Sequence, residues 1–305
     1  MTGLFLLTLR ELRARKVVVG LFAVSTVVWV ALAFALQLDV VDGTLAGARL
    51  FGQETADGPY EPDAPVTDAD GRPVLDDAGR PVRQSDALPF GGRSLLESVV
   101  FTTQAFVAGA GYWMGIVLAL FATGGLVAAL TERGQVDVVL TKPVSRSAVL
   151  GGRLLAVMAV VLALATYLFG AVWLTISVKT GLWSPRFLLA IGAVFGMFAV
   201  LYSVVTLVGV WSGSGPLSLV ATLGVLFVSL ILAIPTLQEQ VSAVWRPVVW
   251  AGYHLLPKFG SVGTTLVPQL ATGGAVGSLY PLVSSLGFGA ACYAAAFALF
   301  SRKDF

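Results

Sequence analysis

The chain is poor in charge. Of its 305 residues only 12% are Asp, Glu, Lys or Arg, while 57% are hydrophobic; an ordinary soluble domain carries about 25% charged residues. The mean hydropathy of +0.87 agrees. So much apolar side chain on a soluble fold would leave large sticky patches, which excludes a soluble enzyme, a disordered chain and a nucleic-acid binder. There is one cysteine, Cys292, so a disulfide framework and a multi-cysteine metal site are excluded too. It lies in an apolar run and reads as a buried thiol. The single histidine, His254, has no partner in sequence for a metal or catalytic site. No Gly-x-x-x-x-Gly-Lys-Ser/Thr loop occurs, so this chain binds no ATP in the usual way; energy for uphill work must come from another polypeptide.

What is present is a series of charge-free runs. Val17–Leu38 holds 22 residues, Ser98–Thr131 34, Leu154–Val178 25, Phe187–Gln238 52 and Leu282–Phe300 19. A membrane crossing takes about 20 mostly apolar residues. The 52-residue run is long enough for two crossings, divided at Trp211-Ser212-Gly213-Ser214-Gly215-Pro216, a turn-forming cluster. Six transmembrane helices follow. The alternation of a membrane barrel is missing, so the fold class is an all-α integral membrane protein. The first run is flanked by Arg10, Arg13, Arg15 and Lys16, but exceeds the 7–15 residues, roughly, of a signal-peptide core; it reads as an uncleaved anchor.

Basic residues near span ends set orientation. With the N-terminus inside, the cytosolic pieces 1–16, 131–153, 211–216 and 301–305 carry ten basic and four acidic residues; the 39–100 segment carries five basic and twelve acidic. Both termini are therefore expected to be cytoplasmic. The short loop with Lys179 and Arg186 is the one piece against this sense. The organisation expected is a single transmembrane domain over 1–305, with an interfacial entry helix in 1–16. An acidic extracytoplasmic loop of about 60 residues (39–100) links helices one and two, a cytosolic segment spans 131–153, and a second extracytoplasmic segment, 237–281, precedes the last span. The outer loop repeats itself, Asp70-Gly71-Arg72-Pro73-Val74 against Ala78-Gly79-Arg80-Pro81-Val82. With the turn sequence Asp76-Asp77-Ala78-Gly79 between the copies, a hairpin pairing 72–75 with 80–84 is expected. Asp68-x-Asp70-Gly71 is no EF-type calcium loop, because Arg72 occupies the third ligand position.

The charge-free runs lack the ionisable group that a coupled carrier or an intramembrane hydrolase uses. Their polar residues are mostly hydroxyls, among them Ser25, Thr26, Thr123, Tyr167, Tyr202, Ser203, Thr206, Thr222 and Ser229, suited to bonds between helices. Gly124, Gly125, Gly192, Gly196, Gly287 and Gly289 suit close helix contact. Trp29, Trp113, Trp173, Trp183 and Trp250 suit an interfacial belt.

One cytosolic stretch stands apart, 131–147. An acid opens it, where a helix dipole favours one; apolar residues stand at 136, 139 and 140, and Pro143 stops the helix. It reads either as a short amphipathic helix on the inner face, with Lys142, Arg146 and Arg153 toward lipid headgroups, or as a docking element for a cytosolic partner. Glu132-x-Gly134, Asp137, Leu140-x-Lys142-Pro143-Val144-Ser145-Arg146 and Gly152-Arg153 together resemble the signature of type-2 ABC transporter permeases. Leu9-Arg10-Glu11-Leu12 is similar to their entry helix, Tyr253-His254-Leu255-Leu256-Pro257-Lys258-Phe259 to their stretch before the last span, and Arg302-Lys303-Asp304 to their ending. Arg153 departs from the lysine common there, and the outer insert varies among members.

The resemblance implies a six-helix permease subunit of an exporter, in a prokaryotic cytoplasmic (inner) membrane.

 It pairs with a second permease subunit, as a homo- or heterodimer, within the lipid bilayer, and two cytosolic ABC ATPase subunits sit beneath the pair. The ATPase consumes the ATP; this chain is not itself an enzyme and binds no cofactor. The coupling segment of such a permease fits a cleft on the ATPase. Carried over residue by residue, Glu132 and Arg133 make the contact, Gly134 allows close approach, Asp137, Leu140, Lys142 and Arg146 complete the motif, and Pro143 ends the helix. The other reading is a non-transporting membrane subunit of an ATPase-linked envelope assembly or mechanical complex; a carrier or intramembrane enzyme is disfavoured by the charge-free runs.

Overall fold

The computed structural model describes residues 16–41, 44–50, 53–54, 64–67, 70–75, 79–83, 95–129, 145–234, 242 and 244–302. Six of its helical stretches are long and apolar enough to cross a membrane: Val18–Ala35, Leu96–Ala128, Ser147–Thr180, Pro185–Ser212, Gly215–Leu232 and Tyr280–Arg302. The chain is a multi-pass membrane protein. In chain order the helices are α1 (Lys16–Ala35), α2 (Leu95–Ala110), α3 (Ile116–Thr123), α4 (Gly125–Ala128), α5 (Arg146–Thr180), α6 (Leu189–Ser212), α7 (Gly215–Leu232), α8 (Arg246–Leu255), α9 (Phe259–Ser261), α10 (Val267–Ala271) and α11 (Tyr280–Arg302). The second span is α2 to α4, joined by a π-turn at Gly111–Gly115; a second π-turn, Val262–Leu266, joins α9 to α10.

Local chemistry sets the ends. Ser145 caps α5 through Oγ, which accepts from the Ala148 amide at 3.3 Å, and Gly181 closes it in the left-handed region at φ 73°. The expected break in the long apolar run is real. Helix α6 ends at Ser212, Gly213 turns the chain at φ 67°, and Ser214 caps α7 with Pro216 in its first turn. Helix α5 runs unbroken for 35 residues and takes in Arg153 and Lys179, which the charge-free run left outside.

Two departures concern the first outer segment. The helix of the first span stops at Ala35, and Leu36–Val41 (β1) pairs antiparallel with Thr44–Leu50 (β2), which pairs in turn with Gln53–Glu54 (β3). The six spans are helical, and this small sheet lies between the first two. The alternation Leu36-Gln37-Leu38-Asp39-Val40 is a strand period, and the pairing Val41↔Thr44 leaves Asp-Gly between the strands, a strong hairpin dipeptide. Further on, Val82 donates to Val74 as the expected hairpin requires, with Leu75 opposite Pro81. A third copy of the repeat completes it. Val74 donates to Val66 and Val66 donates to Val82, each bond 2.8 Å, so three units eight residues apart close a ring. Gly71 and Gly79, at φ 76° and 74°, occupy the same place in their units.

The core gathers on α6. Tyr202 donates from its hydroxyl to the Thr123 carbonyl at 3.3 Å, and Tyr293 on α11 donates to the Ala199 carbonyl at 2.8 Å. Gly289 allows α11 to approach α6 closely: a Cβ there would lie 3.2 Å from Val200 Cα. Gly124 likewise faces Leu219, whereas Gly125, Gly192 and Gly287 have open space. Most of the expected hydroxyls bond back to their own helix, as Thr123, Thr206 and Thr222 do to the carbonyl four residues earlier. Tyr167 and Ser229 do make bonds outside their own helices.

Because that contact involves backbone and cannot yield by a rotamer change, Gly289→Leu is expected to force α6 and α11 apart. The expected cost is about 1–3 kcal/mol, read as a lower midpoint of thermal unfolding in detergent. Gly287→Leu, whose Cβ would meet nothing within 4 Å, serves as the control.

Candidate functional site

Of the motif residues, Glu132, Arg133, Gly134, Asp137, Leu140, Lys142 and Pro143 lie outside the described residues, as do residues 1–15 of the expected entry helix (1–16). Arg146 is described in its backbone as the first residue of α5, immediately after the Ser145 cap. The motif thus leads directly into the longest helix of the chain. Arg153, two turns further on, is 6% exposed. This corrects the expectation that it faces lipid headgroups.

Two sites can be built from the described side chains. The first is a cavity of about 700 Å³ walled by α1, the second span, α5 and α6. Val24, Val28, Phe106, Met114 and Leu118 form its exposed lip; Ile116, Val161, Phe169, Val194 and Phe198 form its floor. Among the described residues Ser25, Thr102 and Thr103 bring hydroxyls to it, and Thr103 donates to the Val99 carbonyl at 2.8 Å, turning its hydroxyl back on its own helix. Beside the cavity, Tyr167 ties α5 to α1: Trp29 Nε1 donates to its hydroxyl at 3.0 Å, Thr26 Oγ1 lies 3.0 Å from it, and its ring stacks on Phe22 at 4.7 Å. Trp29 is thus a contact between helices within the bundle. At the end of the bundle where α1 and α5 finish, Lys179 Nζ donates to the Ala33 carbonyl.

The second site is formed by the chain before the last span. Helix α8 is exposed, and His254 on it donates from Nδ1 to the Trp250 carbonyl at 2.8 Å and lies over the indole at 4.3 Å. The next stretch turns inward. Phe259, Val262, Leu266, Val267 and Ala271 are all buried. Phe259 stacks on Tyr112 at 4.5 Å, and the Tyr112 hydroxyl donates to the Phe259 carbonyl at 2.6 Å. Gly263 makes this fit possible, because a Cβ there would come within 2.5 Å of Tyr112 and 2.7 Å of Trp113. The two π-turns therefore lie against each other, with the aromatic pair of one on the glycine of the other. Ser229 Oγ donates to the Pro257 carbonyl and accepts from the Phe259 amide at 3.1 Å. Lys258 is 2% exposed. Its amide donates to Ser285 Oγ at 2.8 Å and its Nζ to Ser284 Oγ at 3.0 Å, while the rings of Tyr253 and Tyr280 lie 5.0 and 4.9 Å from the ammonium. Burial lowers the Lys258 pKa from its usual value.

Nothing in the sequence singles out Gln104. It is fully buried in α2, and neither its Oε1 nor its Nε2 has a hydrogen-bond partner. A search for ionisable residues passes over an amide. Among the described residues no group of three or more His, Cys, Asp or Glu comes together to hold a metal ion. No protein-family model, no curated protein and no solved structure matches the chain.

Three outcomes follow. Gln104→Met is expected to raise stability by about 1–3 kcal/mol, the cost of leaving a buried polar group unbonded, seen as a higher unfolding midpoint in detergent. Gly263→Ala is expected to lower that midpoint, since the aromatic pair must move. For Lys258 the folded chain disfavours the proton relative to the unfolded one, so the unfolded state binds more protons in the interval just below pH 10.5. Stability is therefore expected to rise with pH across that interval, and Lys258→Met to flatten the rise; unfolding midpoints measured between pH 8 and 10.5, roughly, test this.

Proposed function

We propose that the chain is the membrane-spanning permease subunit of an ATP-driven transporter of the type-2 ABC class. It works as an exporter, paired with a second permease subunit over separate cytosolic ATPases, in a prokaryotic cytoplasmic membrane with both termini inside. The observation that carries the reading is the run from Glu132 to Arg146, with its acid, glycine, Lys-Pro stop and trailing arginine, leading straight into α5. A multi-pass bundle with no nucleotide loop of its own needs such a contact to receive work. By this reading Glu132 and Arg133 meet the ATPase, Gly134 lets the surfaces close, and Pro143 ends the coupling helix. Helix α5 then acts as the lever. Its 35 residues at about 1.5 Å each span roughly 50 Å, from the motif to the Lys179 contact with α1.

A pull-down in gentle detergent is expected to recover an ABC ATPase with the intact chain and to lose it when residues 132–137 are replaced. Glu132→Lys is expected to abolish transport-linked ATPase stimulation while leaving the unfolding midpoint unchanged. Normal stimulation in that variant removes the role of Glu132. Recovery of the ATPase without substrate flux in sealed vesicles points to the mechanical complex instead.

A further inference from the structure

We propose that α8 lies flat in the surface of the bilayer. Val248, Ala251 and Leu255 then rest on the acyl chains, and Arg246, Trp250 and His254 stand among phospholipid headgroups. The proposal goes beyond the permease reading and needs only the six membrane-crossing helices.

The helix sorts into three stripes. At about 100° per residue, positions 249, 252, 253 and 256 fall on one side, 248, 251 and 255 on a second, and 246, 250 and 254 on a third. The stripes are roughly 120° apart, and each has a different surrounding. The first is half-buried against protein. There Gly252 comes so near α7 that a Cβ would lie 3.0 Å from Leu232 Cδ1, and the Tyr253 ring lies 5.0 Å from the Lys258 ammonium. The second is wholly apolar and open, with Val248 58% and Leu255 74% exposed. The third is exposed too, but mixed: His254 lies over the Trp250 indole, and Arg246 stands one turn earlier.

Height decides what meets the open stripes. Leu232 is the last residue of α7 and Tyr280 the first of α11. Helix α8 lies against Leu232 and reaches the Tyr280 ring through Lys258, whose ammonium is 4.9 Å from it. The ends of two spans therefore bracket it, and such ends mark the border of the hydrocarbon. Laid along that border, a helix with protein on one flank has acyl chains on the second and headgroups on the third, which is the order of the stripes. The apolar stripe also continues a surface that meets lipid already, since Phe227, Val228 and Ile231 near the end of α7 are exposed. Tryptophan and arginine suit headgroup level, and an apolar stripe away from them suits the acyl boundary. Turned to water, the same stripe would be an open sticky patch. Arg246 needs only a phosphate, which zwitterionic and anionic lipids both present, so no headgroup charge is selected. Held there, α8 sets the depth at which the chain turns inward after Pro257.

The test is spin-label accessibility on the full chain, purified without any ATPase, in nanodiscs of phosphatidylcholine. Single cysteines are placed in a Cys292→Ala chain at exposed positions, where folding tolerates them, and Phe227→Cys gives the value for a lipid-facing site. Oxygen gathers in hydrocarbon and a neutral nickel chelate in water. Labels at Val248→Cys, Ala251→Cys and Leu255→Cys are expected to favour oxygen at least threefold more than those at Arg246→Cys and His254→Cys. The same ratios are expected in phosphatidylglycerol. Labels that all favour the chelate put α8 in water, and labels at 248, 251 and 255 shielded from both reagents put protein there, such as a second copy; either result overturns the proposal. So does a pattern seen in phosphatidylglycerol alone. Failure to find an ATPase partner leaves these ratios intact, so the two readings fall separately.

Discussion

From Val200 to Thr206 seven consecutive residues of α6 are buried, two full turns with no face left to lipid. A helix enclosed on every side has no amphipathic stripe to orient it; its neighbours must fit it. The remaining spans are arranged around that constraint. Tyr202 reaches the second span, Tyr293 reaches back from the sixth, and Gly289 brings the sixth close enough for its neighbours to seal α6 from the bilayer. In lipid there is little hydrophobic gain from bringing apolar helices together, so shape and a few polar contacts decide the packing.

The same economy explains the stretch before the last span. An irregular backbone can be buried only where its polar groups find partners. Here the Pro257 carbonyl and the Phe259 amide are both served by Ser229, and the Phe259 carbonyl by Tyr112. Lys258 enters with this segment, its charge held by a serine hydroxyl and two tyrosine faces. One serine and one tyrosine thus allow a polar turn to lie inside the bundle.

The spans were legible in the sequence because charge is the costliest thing to place in hydrocarbon, so the charged residues mark the borders. The break at Gly213 was legible because glycine, serine and proline punctuate helices by known geometry. The inward turn of 259–271 was not. Its residues are as apolar as those of a span, and hydropathy does not distinguish packing against protein from exposure to lipid. The π-turns leave composition untouched for the same reason. The first hairpin is masked in the sequence because the charge-free run continues to Leu38 although its period has already changed to two. The third copy of the octad was hidden because it shares only Pro65-Val66 with the others. The motif residues from Glu132 to Pro143 rest on the sequence alone, and the structure adds the capped helix they lead into.

The octad ring has a consequence for how the outer loop can change length. Each unit gives one amide hydrogen and takes one at a single valine, and the third returns to the first. Such a closed circuit counts its members. Losing one octad leaves a donor and an acceptor open on the remaining pair, and a fourth has no vacancy to fill. Repeats of this kind are prone to gain and loss by copying errors, yet this ring accepts change only between its units or outside them. The segment should therefore vary at its turns while its number of units stays at three.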